Sequence, residues 1–246
     1  MIKFFRRIRQ RLLSENKFSK YLIYAIGEIV LVVIGILIAL QINNWNTKRL
    51  LKSKEQVYLQ QIRISLNSDL ERIKEVKEFN ALKTSKIDST FIVLEQSNPE
   101  RYVPAIAEYM SVVNEFDVFE PNAIAFDNMI ASENIDLITD MELRKNLSLY
   151  YQRRNLNLTQ ERIKETTRQF VDDIMPKMGN RQLLKQLTQR DHSNLPDISE
   201  VNIHSDTQVY TNLFNMTLVI DGQNEYLEIT TEDIKHLLNL INTNLK

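Results

Sequence analysis

The chain has 246 residues, with 4 Gly, 5 Pro, no Cys and a net charge of -1. So few chain breakers argue against a many-turned β fold and favour helix. The lack of Cys excludes disulfides, thiolate zinc sites and cysteine nucleophiles.

The small net charge hides a division. Residues 1–54 carry 11 Lys/Arg and 2 acids, a net +9, whereas residues 55–246 carry 20 bases and 30 acids, a net -10. An acidic stretch of that size repels nucleic acid and anionic surfaces. Three parts follow: a basic tail over 1–20, expected to be cytoplasmic; an apolar segment over 21–42; and an acidic helical domain over 43–246.

The apolar segment reads YLIYAIGEIVLVVIGILIALQI, 22 residues from Tyr21 to Ile42. As a helix it is about 33 Å long, enough to cross a bilayer. Basic clusters flank it and no polar stripe runs along it, which sets it apart from a buried core helix. A cleaved signal peptide is the other reading, but Ala39-Leu40-Gln41 is a poor A-x-A-like site and the run is long for a signal. Seven Lys/Arg precede the segment and four follow closely, a bias that predicts an N-terminus in the cytoplasm and residues beyond about 45 outside. Trp45, Tyr21 and Tyr24 stand where interfacial aromatic anchors are expected.

Glu28 is the anomaly in this run. It falls about 5 Å from the middle of the span, where a charged acid costs about 2.5–3.5 kcal/mol, so such a residue usually faces protein. At about 100° per residue, Tyr24, Gly27, Glu28, Gly35 and Ala39 fall within roughly 120° of arc. Gly35-x-x-x-Ala39 is a small-xxx-small spacing that admits a second helix. The competing reading is a protonated glutamate tolerated on an isolated span. A proton or ion path needs more than one acid on one span. The expected partners are therefore the lipid bilayer and another transmembrane helix, from a second copy or a different protein, and no nucleic acid.

Beyond Trp45, Leu59, Ile62, Leu66, Leu70, Ile73 and Val76 recur at helical steps, then less cleanly Phe79, Leu82, Ile87, Phe91 and Leu94. With no Gly or Pro in 36–98, the membrane helix is expected to run on into a long outer helix ending near Ser97-Asn98-Pro99. Ordinary bundle core is the preferred reading over a dimeric coiled-coil stalk, because Asp69 and Lys77 fall on or near the stripe. A shorter helix is expected over Val103–Val113. Phe116–Pro121 reads as a connector, with Pro121 in the first turn of a helix running to about Ser132.

Thr139-Asp140-Met141-Glu142 reads as a capping box opening one long helix. Leu149, Leu156, Ile163 and Phe170 recur every seven residues along it, supported by Val171, Ile174 and Met178, and it stops at 176–179. Residues 180–205 read as a long loop with at most one helical turn. Ser205 is a candidate cap for a helix to about Asp221, and Thr230 or Thr231 for a last helix carrying Ile234, Leu237, Leu238, Leu240 and Ile241. The helices joined at 134–139 have the outline of a DNA-binding helix-turn-helix, a reading that the charge of the domain opposes.

Two blocks carry a resemblance. "YLIYAIGEIVLVVIGILIALQINNWN" contains Gly27-Glu28, Gly35-Ile36-Leu37-Ile38-Ala39-Leu40-Gln41 and Asn43-Asn44-Trp45-Asn46. It resembles the N-terminal block of an uncharacterised family of bacterial single-span, membrane-anchored helical proteins of unknown function. Thr47 departs from the acidic residue usual there. The second block is Phe119–Tyr151, with Asn134 where a glycine is often found. The resemblance implies an anchored helical protein and brings no activity.

Motifs for chemistry are sparse. There is no Gly-rich phosphate loop, no Walker pattern, no G-x-S-x-G and no H-E-x-x-H. Asp191-His192 and His204-Ser205-Asp206 share one loop region, and a metal or hydrolytic site there is the alternative to solvated loop residues. Asp172-Asp173 is expected to turn one carboxylate to water. Tyr150-Tyr151 is expected to offer one ring to the core and one to the surface.

The fold expected is all-α: one N-terminal transmembrane helix continuing into a long helix, plus an extracytoplasmic antiparallel bundle of four to six helices. No cofactor or metal is expected. The function expected is a non-enzymatic, membrane-anchored interaction or scaffold protein of the bacterial inner membrane, with a periplasmic C-terminal domain. The alternative is an extracytoplasmic ligand-binding sensor module signalling through a partner, since a tail of about 20 residues leaves no room for an output domain.

Overall fold

A computed structural model of the chain describes residues 18–97, 103–153, 158–197 and 205–245. Asn98-Pro99, Leu156, His204 and the tail before Phe18 lie outside the described residues. Those described form helices and connecting turns, with no strand among them. The helices are α1 (Phe18–Leu94), α2 (Val103–Val113), α3 (Ile124–Ala131), α4 (Met141–Arg153), α5 (Leu158–Met178), α6 (Arg181–Thr188) and α7 (Thr207–Asn244), with a 3-10 turn at Ile135–Leu137. The chain divides into two compact units, Met1–Glu55 and Gln56–Lys246.

In the first unit, α1 carries the apolar run with its large side chains exposed, Ile23 at 72% and Leu31 at 70%. Beyond the run, the Arg49 guanidinium lies over the Trp45 ring, 5.4 Å from its centroid. Lys52 Nζ reaches Glu55 Oε2 at 2.6 Å.

The second unit is organised by three buried seams. On α1 the seam is Leu59, Ile62, Leu66, Asp69, Ile73, Val76, Asn80, Lys83, Ile87, Thr90 and Leu94, all buried. On α7 it is Val209, Leu213, Met216, Ile220, Gln223, Leu227, Thr230, Ile234, Leu237 and Ile241. On α5 it is Gln160, Ile163, Thr167, Phe170 and Ile174. Each alternates steps of three and four residues, a mean of about 3.5 that keeps one face of a helix turned to its neighbour.

Contacts fix the directions. Gln56 pairs with Asn244, Arg63 with Asn242, Lys77 with Glu228 and Asn80 with Asn224, so α1 and α7 run in opposite directions. Lys177 pairs with Asp206, Asp173 with Asn212 and Gln160 with Gln223, so α5 also opposes α7. Arg153–Asp233 and Asp140–Asn244 give the same sense for α4.

Several sequence-based boundaries are corrected. Helix α3 opens at Ile124, leaving Pro121 in the connector. Asp140, not Thr139, caps α4: its Oδ1 accepts from Glu142 N at 2.9 Å and Leu143 N at 3.1 Å. Leu149 is 43% exposed, and Leu143, Leu147, Tyr150 and Tyr151 make the buried face of α4 instead. Tyr150 and Tyr151 are thus both buried, and Tyr151 stacks on Phe126 with centroids 4.6 Å apart.

Further along, the region read as a loop contains α6, capped by Asn180 Oδ1 accepting from Leu183 N at 2.8 Å. Residues 207–244 form one helix rather than two, and its cap is Asp206 rather than Ser205. Gly222 lies within α7 at negative φ, where it weakens the helix without ending it.

Candidate functional site

Two places combine polar chemistry with an apolar setting. The first is the face of α1 that carries Tyr24, Gly27, Glu28, Gly35 and Ala39. Tyr24 and Glu28 are half-buried along the helix, and Gly27, Gly35 and Ala39 are exposed. A Cβ built on Gly27 or Gly35 meets nothing within 4 Å. The two glycines therefore leave a shallow, open face beside a carboxyl, a surface that a second helix backbone can approach.

The second place lies inside the second unit, where pattern reading missed it. The apolar core falls into two clusters. One contains Leu59 to Val76 of α1 with Leu227 to Ile241 of α7; the other contains Ile87 to Leu94 with Val209 to Ile220. Between them, the seams carry Asn80, Lys83 and Gln223, and α5 adds Gln160 and Thr167.

Asn80 Nδ2 donates to Gln223 Oε1 at 2.8 Å and to Asn224 Oδ1 at 2.9 Å. Gln223 Nε2 donates to Gln160 Oε1 at 2.8 Å and to the Asp117 carbonyl at 2.9 Å. Gln160 Oε1 also accepts from Phe119 N. Lys83 Nζ donates to the Glu115 carbonyl and to Thr167 Oγ1 at 2.9 Å. The connector after α2 lies outside any helix, and this layer bonds three of its backbone groups: the Glu115 and Asp117 carbonyls and Phe119 N.

Lys83 is fully buried. Burial pushes its pKa down to about 7, and the nearby Glu115 carboxylate opposes the shift. A second polar group sits nearer the start of the seam. Asp69 accepts from Asn122 N and from Tyr150 OH, both at 2.8 Å. Burial raises the Asp69 pKa, and these two donors pull the other way. Arg72, one turn on, bonds Asp117 and the Val118 carbonyl. The groups tie α1, α4, α5, α7 and the connector into one register.

Among the described residues the loop candidates do not converge, and His204 lies outside them. Asp191 is held by Arg181 through two bonds of 2.7 and 2.6 Å, and its carboxyl is pulled down to about 2. His192 Nε2 lies 3.1 Å from Thr188 Oγ1, while Asp206 is occupied with the α7 cap and Lys177. Asp172 is exposed and Asp173 half-buried near Asn212. Among the described residues no group of three His, Asp or Glu side chains is placed to hold a metal. A cleft lined by Asn146, Leu149, Tyr150, Arg153, Asp233, His236 and Leu237 encloses about 60 Å³, well below the roughly 300–1,000 Å³ of small-molecule sites.

The geometry defines a class: among the described residues the protein is all-helical, with one helix long and apolar enough to cross a membrane. The chain belongs to a family of unknown function, DUF6090, which matches residues 28–186. The match opens at Glu28 and closes within α6, so it takes in Gly35, Ala39 and the α1 and α5 parts of the polar layer. No curated protein matches the chain, and no solved structure matches it.

Proposed function

We propose that this chain is a single-span, membrane-anchored interaction protein of the bacterial cell envelope, without catalytic activity of its own. Its N-terminus lies in the cytoplasm and residues 43–246 form a periplasmic helical bundle. The span packs against another transmembrane helix, of a second copy or a different protein, through Tyr24, Gly27, Glu28, Gly35 and Ala39.

One observation carries this reading. The exposed apolar run of α1 carries its one acidic residue, Glu28, on the same face as two glycines with open space above them. Leaving a carboxylate toward lipid near the bilayer centre costs about 2.5–3.5 kcal/mol. Packing that face against a helix removes part of the cost and uses the close approach that glycine permits. The outer bundle contributes a rigid body whose polar side chains serve its own packing. The non-enzymatic reading draws support from Asp191, His192 and Asp206, each bonded locally instead of gathered into a site.

Chemical crosslinking in intact membranes tests the contact. The wild type should give a homotypic or heterotypic band that Glu28→Leu loses; an unchanged band pattern removes the contact. Orientation is tested by tagging each terminus and treating spheroplasts with protease. A protected N-terminus and an accessible C-terminus are expected, and an accessible N-terminus overturns the arrangement.

A further inference from the structure

We infer that the face of α1 bearing Trp45, Lys48, Arg49 and Lys52 binds the phosphate of anionic phospholipids in the leaflet where residues 45–52 emerge. The inference rests on the reading of residues 21–42 as a membrane span and adds a ligand chemistry to its outer end.

Spacings of three, four and seven residues put Lys48, Arg49 and Lys52 on the same side of the helix as Trp45. Lys48 and Arg49 are exposed, and Trp45 is 62% exposed. The Arg49 guanidinium lies over the indole at 5.4 Å, so ring and cation form one surface, apolar toward the run and positive beyond it. Lys52 is partly engaged by Glu55 at 2.6 Å and forms the rim of the patch. Helical rise puts Trp45 about 4–5 Å past Ile42 and Arg49 about 10 Å past it. That is the depth of the interfacial layer, where indole rings sit and phosphate oxygens lie. Arg presents a planar fork that suits phosphate oxygens, and Lys adds charge without directional demand.

Cations at this end run against the positive-inside bias, which the seven N-terminal bases otherwise satisfy. Lipid phosphate gives them a local counter-charge. It lies along the helix where the cations lie, whereas a soluble anion has no reason to seek the end of an apolar segment.

Trp45 is the chain's one tryptophan, so its fluorescence reports on this patch alone. The test reconstitutes the full chain in phosphatidylcholine vesicles containing equal mole fractions of either brominated phosphatidylglycerol or brominated phosphatidylcholine. Trp45 quenching by the anionic lipid should exceed that by the zwitterionic lipid, with an apparent preference of roughly fivefold. Lys48→Gln with Arg49→Gln should bring the preference close to one while leaving quenching itself and helix content intact. Equal quenching by both lipids in the wild type overturns the inference and leaves the span standing. No quenching by either overturns the span as well. Preference abolished by inorganic phosphate, but not by chloride of equal ionic strength, assigns the patch to free phosphate and overturns the lipid.

Discussion

Replacing Lys83 by methionine should abolish a rise in stability with pH that the wild type shows above neutrality. The amine of the fully buried Lys83 bonds Thr167 and the Glu115 carbonyl, and its pKa falls from 10.5 to about 7. Between those two values the unfolded chain binds the proton and the folded chain releases it. Unfolding then takes up a proton, so the folded state gains as pH rises through that window. With a slope approaching 1.36 kcal/mol per pH unit, the gain from pH 7 to pH 9 is on the order of 2 kcal/mol.

In Lys83→Met the amine is gone, and so is this slope. The absolute change at pH 7 should be small. Relief of a buried cation favours the variant, while the Glu115 carbonyl and Thr167 hydroxyl lose a donor at about 1–3 kcal/mol. Thr167 sits within α5 and has a main-chain carbonyl one turn back to bond instead. The assay is urea unfolding of the full chain in detergent micelles, followed by far-UV circular dichroism at both pH values. Equal slopes for wild type and variant, or a wild type that weakens toward pH 9, would refute the assignment of the shift to Lys83.

Three further substitutions probe the same fold. Tyr150→Phe leaves the buried Asp69 with one donor fewer and should cost about 1–3 kcal/mol in the same unfolding assay; an unchanged midpoint would show that the bond carries no weight. Asp140→Ala removes both the α4 cap and the tie to Asn244, for a loss of about 1–2 kcal/mol, and a neutral outcome would return the cap to Thr139. Gly222→Ala places a methyl in open space within α7 and should raise stability by roughly 0.5–1 kcal/mol. A loss there would mean that the helix bends or is covered at that point.

The elements that were legible in the sequence share a physical cause. The end of α2 at Val113 agrees with the expectation, its apolar residues giving way there to the polar Asn114-Glu115. The continuity of α1 followed from the absence of Gly and Pro over 36–98. Glu28 stands out in the sequence because a carboxyl in an apolar run has no ordinary place.

The seams were harder to read, because apolar letters were followed where the buried positions are polar. Past Val76 the apolar series Phe79, Leu82, Phe91 drifts off the packed face, and Leu82 is 48% exposed. The packed series continues through Asn80, Lys83 and Thr90, which look like surface residues in a sequence. Helix α7 was divided for the same reason. Gln223 and Thr230 interrupt its apolar pattern, and Gly222 resembles a stop, yet all ten seam positions keep the alternation of three and four. In the sequence Asp69 interrupts the apolar stripe. In the folded chain it is a bonding partner of Asn122 and Tyr150. The missed signal was spacing independent of polarity: polar residues that keep strict register with a core seam belong to the seam. The loop-borne His and Asp residues are legible only as types, because their partners, Arg181 and Thr188, lie in a helix where the sequence predicts a loop.

The central claim is that the Glu28 face of the span contacts another helix. Site-specific photo-crosslinking across residues 22–42 in intact membranes tests it most directly. Probes at Tyr24, Gly27, Gly35 and Ala39 should yield adducts, probes at Val33 and Leu37 on the far side should not, and Glu28→Leu should suppress the adducts. Yields that are uniform around the helix, or adducts that persist unchanged in Glu28→Leu, would contradict it.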